Sequence, residues 1–272
     1  MRFMMLIKSN AKAEAGVRPD EQLLSAMRNY NDELTRAGVL LAADGLKASS
    51  KGARVRIADQ KITVREGPFA ETKELVAGFW IIEVTSKAEA IEWAKKVPGT
   101  EGEIEVRQVF EVADFPVDAS EQEGGWRDQE QHFRDGTHPK AANSTVPPRQ
   151  PGTTRFMIIH KASAATEAGA LPDPKNLEEM GALIQEQIDR GTLLAAEGLQ
   201  PSAKGARVRA SGTKRMVIDG PFAETKELVG GFSIIQVKTK EDAIAFAKRC
   251  VVVCPPGETE AELEVRECFE PF

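Results

Sequence analysis

Cysteine is scarce and unevenly placed. The three cysteines, Cys250, Cys254 and Cys268, all fall in the second half of a 272-residue chain. An odd number of them, without counterparts in the first half, argues against a disulfide framework and reads as free thiols. Cys250 and Cys254 are four residues apart and could join Cys268 at a metal. No fourth ligand stands at a recognisable spacing, so no metal site is expected. There are also only three histidines, His132, His138 and His160. The chain has no phosphate-cradling glycine loop, nucleophile elbow or zincin helix, and no cofactor is expected.

No run of 18 apolar residues occurs, so no helix is expected to cross a bilayer. The opening MRFMMLIK could be taken for the start of a signal peptide. Its apolar run, Phe3–Ile7, is shorter than a signal core of roughly 7–15 residues. The same pattern recurs internally as Arg155–Lys161, RFMIIHK, where no signal could act. It reads as a strand, and the protein is expected to be cytoplasmic. Basic excess is missing too. The net charge is −6, which argues against nucleic acid or an anionic membrane as partners.

What the chain does have is repetition, which decides its organisation. GPFAETKELV stands at Gly67–Val76 and again at Gly220–Val229. KGARVR stands at Lys51–Arg56 and again at Lys204–Arg209. LLAADGL at Leu40–Leu46 matches LLAAEGL at Leu193–Leu199. All share one offset, which breaks only after Lys96 and Arg249. Copy one is therefore residues 1–112 and copy two residues 153–272, joined by a polar linker, residues 113–152. Within the linker, Trp126–Asp135 could form a short helix.

Each copy has the same order of elements. Arg2–Lys8 is a buried strand. Asp20 is placed to cap an amphipathic helix over Glu21–Ala37, with Leu23, Leu24, Met27, Tyr30 and Leu34 on one face and Gly38 ending it. The corresponding helix of copy two is Lys175–Arg190. VLLAADGL is a strand. ARVRIAD and KITVRE alternate around Asp59-Gln60 as a hairpin. Leu75–Val84 is a strand, Ser86 caps a second helix, and Ile104–Glu111 is the last strand. The fold class is α+β: two ferredoxin-like units, each with an added β-hairpin. Strands such as FWIIEV are apolar on both sides, so the sheet face away from the helices needs a cover. The other copy supplies it in a face-to-face pseudo-dimer of the dimeric α/β-barrel type.

The DGPFAETKEL loop, the KGARVR hairpin, the LLAAEGL strand and the terminal EVR together resemble the DGPF family of the YCII-related group. The resemblance covers nearly all of both copies. It implies a ferredoxin-like fold of the dimeric α/β-barrel type, and it implies little about function. Some members of that group stand beside or are fused to alternative sigma factors, and a few enzymes among them act on small aromatic compounds with a His–Asp pair. The histidine of that pair lies on the first helix, near Met27 and Met180 here. Neither first helix carries a histidine, and copy one has Glu66 where copy two has Asp219.

The GPFAETKE loop is the leading site candidate. Its glycines Gly67 and Gly220 permit positive φ, and the prolines after them stiffen the turn. Asp219, Glu66, Lys226 and Lys73 are the candidate catalytic groups, a carboxylate beside an ammonium being able to act as a general base. Thr72, Thr225, Glu71 and Glu224 on the same loop, with Arg54 and Arg207 on the hairpins, are the candidate ligand contacts. The structural alternative has the acid capping the turn and the arginines, including Arg56 and Arg209, on a solvated sheet face. His160, opposite Ile7 of copy one, reads as a tolerated strand histidine. Two functions compete: a small-organic-ligand-binding or regulatory protein, and a lyase, isomerase or hydrolase with Asp219 or Glu66 as base. Further homodimerisation is open.

Overall fold

The computed structural model describes residues 1–70, 75–111, 114, 150–171, 174–224, 228–253 and 260–269. In the first copy these form β1 (Arg2–Lys8), a short α1 (Ala11–Glu14), α2 (Glu21–Arg36), β2 (Leu40–Gly45), β3 (Ala53–Ala58), β4 (Lys61–Glu66), β5 (Val76–Glu83), α3 (Lys87–Lys96) and β6 (Glu101–Gln108). The second copy repeats them as β7 (Thr154–Lys161), α4 (Ala164–Glu167), α5 (Pro174–Asp189), β8 (Leu193–Gly198), β9 (Ala206–Ser211), β10 (Lys214–Asp219), β11 (Val229–Val237), α6 (Lys240–Cys250) and β12 (Glu260–Glu267). The class is α+β, as the order of elements implies.

The caps fall where the sequence puts them. Asp20 accepts from the Leu23 amide and Ser86 from the Glu89 amide. Gly38 takes φ +70° past the end of α2, and the Val39 amide reaches back to the Leu34 carbonyl, closing the helix. The short α1, unforeseen within a polar loop, is capped by Asn10. The last strand starts three residues before the expected Ile104 and ends at Gln108. There Val109 leaves the strand to bridge Leu199 of the other copy.

The sheets depart from the expected plan in one respect. There are two antiparallel six-stranded sheets, ordered β10-β9-β6-β1-β5-β2 and β4-β3-β12-β7-β11-β8. Each hairpin is covalently part of one copy and hydrogen-bonded into the sheet of the other. β3 pairs with β12, setting Val55 opposite Leu263, and β9 pairs with β6, setting Val208 opposite Ile104. The hairpin is thus not an ornament on its own unit but a strand pair exchanged between units. Sequence patterning could not reveal this, because a hairpin closes locally whichever sheet receives it.

Three apolar clusters hold the arrangement. Tyr30 and Leu34 of α2 and Ala90 and Ala94 of α3 pack on Phe3, Met5, Trp80, Ile82 and Val106, joined by Val208 from the exchanged β9. The second copy builds the same layer from α5 and α6, joined by Ala53 and Val55 of β3. The third cluster draws on both sheets: Met4, Leu6, Phe79 and Ile81 with Met157, Ile159, Phe232 and Ile234. Phe79 and its repeat counterpart Phe232 meet there with ring centroids 6.3 Å apart. Each such side chain, fully buried, contributes about 1.5–3 kcal/mol. Both faces of the central strands are therefore covered, one by helices and the other by this shared layer.

Candidate functional site

The predicted loop begins where the exchanged hairpin ends. Ser49 and Ser202, each opening a 3-10 turn, face the glycine of the GPF sequence. A Cβ on Gly67 would sit 1.9 Å from the Ser49 carbonyl oxygen, and one on Gly220 equally close to that of Ser202. Close backbone approach is the reason for glycine here. Neither residue has positive φ, which corrects the reading from sequence, and both Gly-Pro bonds are cis. The serine hydroxyls accept from the Phe69 and Phe222 amides at 3.1 Å. The serine, not the acid, therefore secures the turn.

The acids point elsewhere. Asp219 pairs with Lys87, the first residue of α3, at 2.8 Å, and its side chain is 71 % exposed. Glu66 pairs in the same way with Lys240, the first residue of α6. Each ties an exchanged hairpin to a helix of the other copy. A solvated pair of this kind lacks the burial that tunes a general base. Glu224 is exposed. Glu71, Thr72, Lys73, Thr225 and Lys226 lie outside the described residues, as do Cys254, His132, His138 and the linker segment Trp126–Asp135.

Arg54 and Arg207 are brought inward, away from the solvated face that the structural alternative gave them. Arg207 stacks on the Phe222 ring at 4.1 Å, and Arg54 on Phe69 at 4.3 Å, a geometry favourable to cation–π attraction. Arg207 Nη2 lies 2.9 Å from Glu105 of copy one, and Arg54 Nε 3.0 Å from Glu264 of copy two. Arg56 and Arg209 stay exposed, paired with Glu260 and Glu103.

Glu105 is the hub of a buried cluster that the sequence reading missed. Its carboxylate receives Arg107 at 3.1 Å and Lys8 at 3.3 Å as well as Arg207, and both Glu105 and Arg107 side chains are fully buried. Burial alone would raise the Glu105 pKa, but Lys8, Arg107 and Arg207 hold it below the usual carboxylate range. Arg107 also donates to the Gln200 carbonyl at 2.7 Å and to Glu167 at 3.2 Å. Glu167 in turn accepts from the Ser202 amide. The second copy of the cluster repeats this with Arg266, Glu264, Arg54, Glu14 and the Ser49 amide. Each cluster draws members from both repeats. The EVR ending both copies carried the signal, since two charges on one face of a central strand need partners.

Of the other sequence candidates, His160 is a strand residue opposite Leu263 and Gly231. Burial lowers its pKa to about 4, keeping the ring neutral. Met27 and Met180, at the positions where the resemblance would place a histidine, pack against the helix–sheet layers. Cys250 and Cys268 are buried, and burial pushes the Cys250 thiol up to about 12. Among the described residues no group of His, Cys, Asp and Glu is placed to hold a metal ion, and no helix is long and apolar enough to cross a membrane.

Comparison with known proteins agrees with the duplication. A family model described as the YCII-related domain matches twice, at residues 1–113 and 154–267. An uncharacterised protein of Rhizobium meliloti is 33 % identical over 76 residues, which make up 28 % of this chain and 61 % of that protein. The matched stretch thus spans less than two thirds of the relative's own length.

Proposed function

The chain belongs to the YCII-related domain family, and we propose that it is a small-ligand-binding or regulatory protein of the dimeric α/β-barrel type, with residues 1–112 and 153–272 as its two halves. The site is the foot of each DGPF-type loop, and the ligand is a small organic anion. One observation carries this reading. In both repeats an arginine, Arg54 or Arg207, lies over the ring of the loop phenylalanine beside a buried Glu–Arg cluster contributed by both copies. A guanidinium packed on a ring and fixed in place by a buried carboxylate is a preorganised contact for a planar carboxylate ligand. Binding is favoured over catalysis because the loop acids Asp219 and Glu66 are surface ion pairs. Nucleic acid and membrane are not partners in this reading, given the net charge of −6.

The test is a thermal-shift and calorimetric screen of small aromatic and aliphatic carboxylates against their neutral amides. Carboxylates should raise the melting temperature and the amides should not. Arg54→Gln and Arg207→Gln, which take away the guanidiniums over the loop phenylalanines, should weaken the shift. Carboxylate shifts untouched by these changes would remove the loop from the site, and a flat screen would end the reading.

A further inference from the structure

The exchange of hairpins leaves β10 at the outer edge of one sheet, where among the described residues it is hydrogen-bonded only to β9. An edge strand offers a row of unpaired backbone groups to another chain. Apolar side chains stand in the middle of this one: Met216 is 54 % exposed and Val217 36 %. Arg215 is bonded to the main-chain carbonyls of Lys95, Gly99, Gly212 and Lys214. Among the described residues it forms no ion pair with a carboxylate.

We infer that β10 is a docking edge for a second copy of this chain, the two β10 strands pairing antiparallel about a two-fold axis. Symmetry restricts the register. Directly opposed residues share a face, so a strand paired with itself must be centred on a residue. Centred on Val217, the pairing sets Arg215 opposite Asp219 of the second copy, twice, and Met216 opposite Ile218, twice. Charges and apolar groups then match at every position from 215 to 219, with Asp219 keeping Lys87 of its own chain as a second cation. Centred on Met216, Arg215 meets Val217 and Lys214 meets Ile218, and neither charge is answered.

The twin edge strand β4 lacks this property. About Thr63 its Lys61 would face Arg65, and about Val64 its Ile62 would face Glu66. Yet β4 is as exposed, with Ile62 36 % and Val64 40 % accessible. The two hairpins have therefore diverged in edge chemistry while keeping their fold. Pairing through β10 would join two six-stranded sheets into one of twelve. Two short strands bury little area, so the dimer is a weak, concentration-dependent one.

The test is analytical ultracentrifugation of the full chain across a wide concentration range, beside Val217→Lys and its matched control Val64→Lys. The wild type should move from one to two chains per particle as concentration rises. Val217→Lys, which sets two lysines face to face, should stay monomeric, and Val64→Lys should behave as wild type. Amide exchange in β10 of the unaltered protein, slower at high than at low concentration, gives the same answer without a substitution. A wild type that stays monomeric throughout, leaving the edge to some other occupant, overturns the inference. So does a dimer that survives Val217→Lys, or one weakened equally by both changes, as a head-to-tail β10–β4 contact would be.

Discussion

Arg207, on the hairpin of the second copy, donates to Glu105, in a central strand of the first, at 3.0 Å from Nε. Arg54 and Glu264 make the same bond in the opposite sense at the same distance. These two pairs fasten each exchanged hairpin to the sheet that receives it. Among the described residues they join Lys8, Arg107 and Arg266 in buried charge clusters at the seam between the repeats.

Removing the hub acid should be costly. Glu105→Gln leaves Arg107, Lys8 and Arg207 without their shared anion, and breaking a buried pair typically costs about 3–5 kcal/mol. Urea denaturation should show a loss of that size, and Glu264→Gln should show a similar one. A loss under about 1 kcal/mol would mean that the cluster is solvated.

The loop acid should matter little for stability. Asp219→Ala removes a solvent-exposed pair with Lys87, for which the usual contribution is about 0–1 kcal/mol. The same denaturation experiment should place this variant within that range. A larger loss would assign Asp219 a structural part that its exposure does not suggest.

The glycine and serine of the turn should separate cleanly. Gly220→Ala drives a Cβ into the Ser202 carbonyl and should cost about 3 kcal/mol or more, the upper end of overpacking. Ser202→Ala removes one hydrogen bond to the Phe222 amide and should cost about 1 kcal/mol. Thermal unfolding of the pair checks the order, and equal effects would contradict the close-approach account.

Acid should weaken the fold through His160. Its pKa falls from the ordinary 6.5 to about 4 in the folded chain, so the unfolded chain binds the proton more readily. Stability from this group is complete above pH 6.5 and is lost as pH falls toward 4, by up to about 3 kcal/mol. His160→Ile, which installs the residue found at the matching position Ile7, should flatten that part of the stability–pH curve. The fall below it, from carboxylates such as Glu105 and Glu14 held under their usual range, should persist. An unchanged slope between pH 6.5 and 4 in the variant would place the titration elsewhere.

Much of this architecture could be read from local chemistry. Asp20, Ser86 and Gly38 mark helix ends by their own side chains or backbone freedom, and the repeat offset gave every strand a twin. The double-sided apolar strands also required a cover on their second face. Two things escaped that reading for physical reasons. Hairpin exchange is a choice of acceptor sheet, and β6 and β12 present nearly the same EVR edge to either hairpin. The cluster around Glu105 joins residues up to 199 positions apart, and what places them together is that exchange. Whether Arg54 and Arg207 met a ligand or solvent stayed open because period-two spacing identifies a shared face without saying which strand lies beside it.

The exchange itself is the claim most open to direct trial. In a chain freed of native cysteines, Arg56→Cys with Glu262→Cys places a thiol pair across β3 and β12, which stand opposite each other. Arg56→Cys with Glu103→Cys places the equivalent pair within copy one. After oxidation and cleavage at a protease site built into residues 113–149, denaturing non-reducing electrophoresis reads which bond formed. The account predicts that only the Arg56–Glu262 combination keeps the two halves joined at full length. Halves that separate in that variant, with the cross-link forming instead between positions 56 and 103, would contradict it.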